Sequence, residues 1–230
     1  MRENLRLIAA GLSLLVVVGC GESTTAPQAT ANHKLSVSGA PSFDYGNAGF
    51  GFGDQSTTFT VTSNGGSFNV GGLFNVNFPA NSICSDDGSY AAGDWEASCA
   101  PRKTPLRITA TVRLTSAGLA IDFSPDIRFV PSQTVTVSTD VFGPFIRANR
   151  SYFVSHPAAL RPFALYYTPT LGASTVADYI SDSSLITHID LTTGRVWRRV
   201  KHFSGYSATT GEPCDPAPGD PDCVQTDGIM

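Results

Sequence analysis

Charge is scarce in this chain: only 15% of its 230 residues are Asp, Glu, Lys or Arg. Glu and Lys, which dominate exposed helical surfaces, are few after residue 34, and a chain of long solvated helices is disfavoured on that ground. There is no basic excess either, with 15 Lys and Arg against 19 Asp and Glu, which argues against a nucleic-acid partner. The longest apolar run, Leu7–Val18, is too short to cross a bilayer, which takes about 20 residues. Cys and His do not occur in the paired short spacings a structural metal site needs. No Gly-rich phosphate loop sits between a strand and a helix, and no Gly-x-Ser-x-Gly nucleophile elbow occurs. The expectation is a chain with no cofactor, no metal and no enzymatic constellation.

What the sequence has in quantity is Gly, Ser, Thr and Pro between short alternating runs. Leu106–Leu114 (LRITATVRL) is the clearest: Leu106, Ile108, Ala110, Val112 and Leu114 alternate with Arg107, Thr109, Thr111 and Arg113. Leu119–Phe123 returns after a Ser-Ala-Gly turn. In FNVNF, Phe74, Val76 and Phe78 share one face, and Asn75 and Asn77 the other. Further strands are read at Thr58–Thr62, Ser67–Val70, Ile127–Val130, Val135/Val137, Tyr152–Val154 and Phe163–Tyr167. Leu185–Leu191 and Arg195–Tyr206, around Thr192-Thr193-Gly194, read as a closing hairpin. Phe43–Gly53 fits either a bulged strand or a loop, and residues 169–184 are polar and irregular, with a helical turn at most. Short strands at regular spacing with Gly and Pro turns predict an all-β fold, an antiparallel β-sandwich with few or no helices. The predicted layout is a leader at 1–19, a tether at 20–38, a sandwich domain at 39–207 and a tail at 208–230.

Arg2 and Arg6 followed by Leu7–Val18 have the shape of a secretory signal. Val17-Val18-Gly19-Cys20 resembles the lipobox of bacterial lipoproteins. That resemblance implies cleavage before Cys20, acylation of its thiol and attachment to a membrane in the cell envelope. Two or more acyl chains hold a protein at a membrane almost permanently, at about 0.8 kcal/mol per buried CH₂. By analogy with lipoprotein sorting, Gly21 rather than Asp after the Cys favours the outer membrane, where the host has one. Loss of Arg2, Arg6 and Glu3 with the leader leaves 13 basic and 18 acidic residues, a net charge of −5. With Cys20 lipidated, Cys84, Cys99, Cys214 and Cys223 remain, and an even number outside the cytoplasm reads as two disulfides. Of the three pairings, the local ones, Cys84–Cys99 and Cys214–Cys223, are preferred. Each closes a Gly-, Asp-, Pro- or Ser-rich segment with little else to hold its shape.

Three stretches together resemble the ZU-five domain, a β-sandwich of ankyrins and netrin receptors with relatives in bacterial secreted proteins. They are Gly65-Gly66 with FNVNFPANSI, Ile121–Ser138 (IDFSPDIRFVPSQTVTVS) and Lys201–Tyr206 (KHFSGY). Asn81-Ser82 in place of the usual Gly-Ala pair, the Cys84–Cys99 insertion and the tail are departures. The resemblance implies an interaction or structural module and no chemistry of its own. The partner expected is a protein or a glycan of the envelope.

Some relatives cut themselves between Phe and Ser at His-Phe-Ser, so His202-Phe203-Ser204 is the sharpest candidate for chemistry. Ser204 Oγ would attack the Phe203 carbonyl with His202 as base. The bland alternative makes Phe203 and Tyr206 core anchors and puts His202 at a polar edge. Arg195, Arg198, Arg199 and Lys201 form the basic run, read as a solvated strand face or a charged edge rather than a site for phosphates. Tyr90 and Trp95, inside the first cysteine loop, could stack on a sugar or anchor a partner. The loop acids Asp86, Asp87, Asp94 and Glu96 and the tail acids Asp215, Asp220, Asp222 and Asp227 match no metal or catalytic spacing and read as solvated. His33, His156 and His188 stand alone in the sequence.

Overall fold

The structure is a computed structural model describing residues 34–35, 41, 43–45, 53–85, 97–115, 118–168, 185–209 and 224–227. Cys20, Tyr90, Trp95, Cys214, Cys223 and the stretch 169–184 lie outside the described residues. In chain order the strands are β1 (Lys34–Leu35), β2 (Phe43–Asp44), β3 (Asp54–Val61), β4 (Gly66–Val70), β5 (Phe74–Phe78), β6 (Leu106–Thr115), β7 (Gly118–Arg128) and β8 (Val135–Thr139). Then come helices α1 (Gly143–Ala148) and α2 (Arg150–Ser155) and a 3-10 turn over Pro157–Phe163. Strands β9 (Leu165–Thr168), β10 (Thr187–Asp190), β11 (Val196–Val200), β12 (His202–Thr209) and β13 (Val224–Asp227) follow.

Two sheets form a sandwich, with strand orders β13-β10-β11-β8-β5-β4 and β3-β6-β7-β12-β9, and β1 pairs with β2 separately. Among the described residues every strand pairing is antiparallel except β10 with β13. The predicted all-β sandwich is therefore the fold. The expected alternation sets its layers. Ile108, Ala110 and Val112 from one sheet face Phe74, Val76 and Phe78 from the other, all buried. Aromatic rings seal the interface: Phe59 stacks on Phe68 at 4.3 Å, and Phe78 meets Phe203 edge-on at 5.5 Å.

Four sequence readings are corrected. Tyr152–Val154 is part of helix α2, not a strand. Phe142, Phe145, Ile146 and Phe153 recur at helical spacing and pack with Phe43 and Phe163 at one end of the sandwich; over three residues, periods of 2 and 3.6 look alike. The tail at 208–230 contributes β13, a parallel edge strand on β10. Arg195–Tyr206 is not one strand: it leaves the six-stranded sheet at Val200 and enters the other at His202. Finally, the basic run is a solvated face only at Arg195 and Arg199, which are exposed. Arg198 is 2% exposed, because strict alternation along β11 turns Val196, Arg198 and Val200 inward together, and Lys201, 5% exposed, is buried where the chain passes from one sheet to the other. Arg198 Nη1 donates to the Leu165 carbonyl at 2.7 Å, which provides the partner a buried cation needs.

The preferred Cys84–Cys99 bridge is formed, with a Cα–Cα distance of 5.6 Å. It closes the loop next to the backbone bridges Ile83–Phe129 and Cys84–Pro101.

Candidate functional site

A groove of about 720 Å³ runs across the outer face of the six-stranded sheet. Strand register builds it. Asn69 faces Asn75, Asn75 faces Ser138, Ser138 faces Trp197 and Trp197 faces His188, a continuous row perpendicular to β4, β5, β8, β11 and β10. One pleat away runs a second row, Ser67, Asn77, Thr136 and Arg199. Side chains in each row repeat at the inter-strand spacing, about 4.8 Å.

The row members hold each other in place. Asn69 Nδ2 donates to Asn75 Oδ1 at 3.2 Å, and Ser67 Oγ donates to Asn77 Oδ1 at 2.8 Å. Arg195 Nη2 donates to Ser138 Oγ at 2.9 Å. His188 stacks on Trp197 with centroids 3.9 Å apart and planes 10° from parallel, and its Nδ1 lies 3.3 Å from Asp227 Oδ1. Arg199 places its guanidinium carbon 5.8 Å from the centre of the Trp197 ring. At the end of the groove Asp190 accepts from the Thr193 hydroxyl at 2.7 Å and from the backbone N–H of Thr192 at 2.8 Å. These bonds, the hydroxyl foremost, hold its carboxyl below the usual carboxylate range. Asp140 and Asp227 complete an acidic end opposed by Arg195. Among the described residues no cluster of three His, Cys, Asp or Glu could hold a metal.

The sequence-predicted cleavage triplet lies elsewhere, on β12. Phe203 is fully buried, stacked on Phe123 at 3.7 Å and edge-on to Phe129 at 4.8 Å. Its expected role as a core anchor is met. His202 is not at a polar edge: it is 2% exposed and meets Tyr167 edge-to-face at 4.6 Å. Ser204 sits at an irregularity, because β12 pairs Phe203 with Ile127 and then Gly205 with Asp122. Of the tail acids, Asp227 is described, and it joins the groove rather than a metal site. His188, isolated in the sequence, is stacked and paired there.

Burial first, and the neighbouring Arg198 charge second, push the His202 imidazole down from its ordinary 6.5 to about 3. The folded state therefore refuses a proton that the unfolded chain binds below about pH 6.5. Stability from this group is fully present above pH 6.5 and is lost as the pH falls toward 3. Between pH 7.5 and 4.5 the loss is expected to be about 2–3 kcal/mol. Urea midpoints at both pH values, for the wild type and His202→Gln, measure it. The variant should lose distinctly less than the wild type; parallel losses would refute the assignment.

No protein-family model, no curated protein and no solved structure matches this chain. Its site is therefore read from its own residues. The groove residues Trp197, Asn75, Asn77, Arg195 and His188 were not singled out in the sequence as a site, although alternation alone turns Asn75 and Asn77 outward.

Proposed function

We propose that the chain is a lipid-anchored interaction module of the cell envelope, in which acyl chains on Cys20 hold a ZU-five-like sandwich at a membrane and the cross-strand groove faces a partner. The groove carries this reading. It is a recess on the outer face of a rigid sheet, lined by side chains already fixed by mutual hydrogen bonds, and such preorganisation lowers the cost of binding. The anchor reading draws on the charged start, short apolar run and Val-Val-Gly-Cys ending of residues 1–20. With Gly21 after the Cys, the outer membrane is the favoured location where one exists.

Metabolic labelling with palmitate and membrane fractionation test the anchor. The wild type should be labelled and should sediment with membranes, whereas Cys20→Ser should carry no label and move largely to the soluble fraction. Equal partitioning of the two proteins refutes anchoring through Cys20.

A second reading, cleavage between Phe203 and Ser204, draws on the break in strand pairing at Ser204, although burial makes the adjacent His202 imidazole a weak base. The mass of the same purified protein, beside Ser204→Ala, decides it. The interaction module predicts one intact acylated chain in both; cleavage predicts two fragments in the wild type alone.

A further inference from the structure

We propose that the groove binds a neutral oligosaccharide lying across the strands. The inference rests on the reading of this face as a binding surface and is independent of the lipid at Cys20. Three features of the groove fix the ligand class.

The first is the supply of hydrogen-bonding groups. Asn75 and Asn77 spend their carbonyl oxygens on Asn69 and Ser67, so their Nδ2 groups remain oriented donors toward the groove. Beside them stand the hydroxyl of Thr136 and the carboxylates of Asp140 and Asp190. Donors and acceptors interleaved on one face match a polyol, in which every hydroxyl both gives and receives a hydrogen bond. Among the described residues Val76 is the single aliphatic one of the lining, so the described face offers no apolar pocket of the kind by which sheets and grooves grip peptides.

The second is the aromatic ring. His188 covers one face of Trp197 at 3.9 Å and the Arg199 guanidinium lies over the ring at 5.8 Å, which together fix the half-buried indole in the groove lining. A fixed aromatic face beside oriented amides is complementary to a sugar ring, whose C–H face is apolar and whose rim is polar.

The third is spacing and sign. The rows repeat at about 4.8 Å, comparable with the length of one pyranose residue, and about 720 Å³ lies within the range of small-ligand sites. Among the described residues Asp140, Asp190 and Asp227 outweigh Arg195 at the end of the groove, which opposes phosphates and uronic acids and leaves neutral sugars unopposed.

The test is calorimetric titration of the full-length protein in detergent with neutral hexasaccharides of glucose, mannose, galactose and N-acetylglucosamine. An oligogalacturonate and an oligolysine peptide serve as charged probes. At least one neutral hexasaccharide should bind saturably. Trp197→Ala should weaken it at least about tenfold, and Asn77→Ala, an exposed residue that leaves the core untouched, by about fivefold. Thr58→Ala, on the outer face of the other sheet, and Trp95→Ala, in the cysteine loop, should leave the affinity unchanged. No saturable binding of any neutral sugar overturns the proposal, as does binding of the charged probes only. Affinity lost in Trp95→Ala but kept in Trp197→Ala and Asn77→Ala overturns it too, because the sugar then sits on the cysteine loop. Fractionation of Trp197→Ala and Asn77→Ala reads anchoring alone, so loss of the ligand class and loss of the anchored module give different results.

Discussion

Phe203→Ala is expected to cost about 3–5 kcal/mol of stability, the range for emptying a buried aromatic site. The ring is fully buried where the sheets meet. Phe123 stacks on it at 3.7 Å, and Phe78 and Phe129 meet it edge-on at 5.5 and 4.8 Å. Three aromatic neighbours from β5, β7 and the segment after β7 cannot all move in to fill the space, so most of the cavity persists. A typical domain is stable by only about 5–15 kcal/mol, so the variant should sit near the edge of folding. Its melting temperature should fall by about 10 °C or more, at about 2–4 °C per kcal/mol for a domain of this size. Phe203→Leu, which keeps much of the volume, should lose clearly less. A loss below about 1 kcal/mol in Phe203→Ala, by denaturant and heat alike, would mean that the two sheets are not held together at this ring.

Gly194→Ala is expected to cost about 2–5 kcal/mol, for two separable reasons. Gly194 closes the turn after Asp190 with φ of +74°, a conformation that costs an L-residue about 1–2 kcal/mol. A methyl group there would also come within 2.5 Å of the Cα and carbonyl oxygen of Gly143, at the start of α1. Backbone cannot rotate aside as a side chain can, and such overpacking costs about 1–3 kcal/mol. Gly72 separates the two causes. It has nearly the same φ, +71°, but nothing lies within 4 Å of the position its Cβ would take. Gly72→Ala should therefore show the conformational cost alone, about 1–2 kcal/mol. Equal destabilisation of the two variants, measured by urea midpoint, would remove the contact with Gly143 from the account.

The turn at Gly194 also shows where local sequence stops being informative. Thr192-Thr193-Gly194 marks a turn by its composition, and Asp190 caps it through the hydroxyl of Thr193. That the turn abuts Gly143, 51 positions earlier in the numbering, has no local signal, because the close approach is fixed by how α1 packs on the sandwich. The same division runs through the groove. FNVNF and VTVS each show which side chains face outward, but nothing in either places Asn75 beside Ser138 and Ser138 beside Trp197.

The sequence by itself determined the all-β class, the inward sets of β5, β6 and β7 and the local Cys84–Cys99 bridge. All of these follow from period-two alternation or from short-range composition, and both are properties of a few consecutive residues. The tertiary structure decided which strands are neighbours, that Arg198 and Lys201 lie inside, that the chain changes sheets between Val200 and His202, and that Val224–Asp227 completes an edge. Those outcomes depend on contacts between segments far apart in the chain, where packing and hydrogen bonding override local preference.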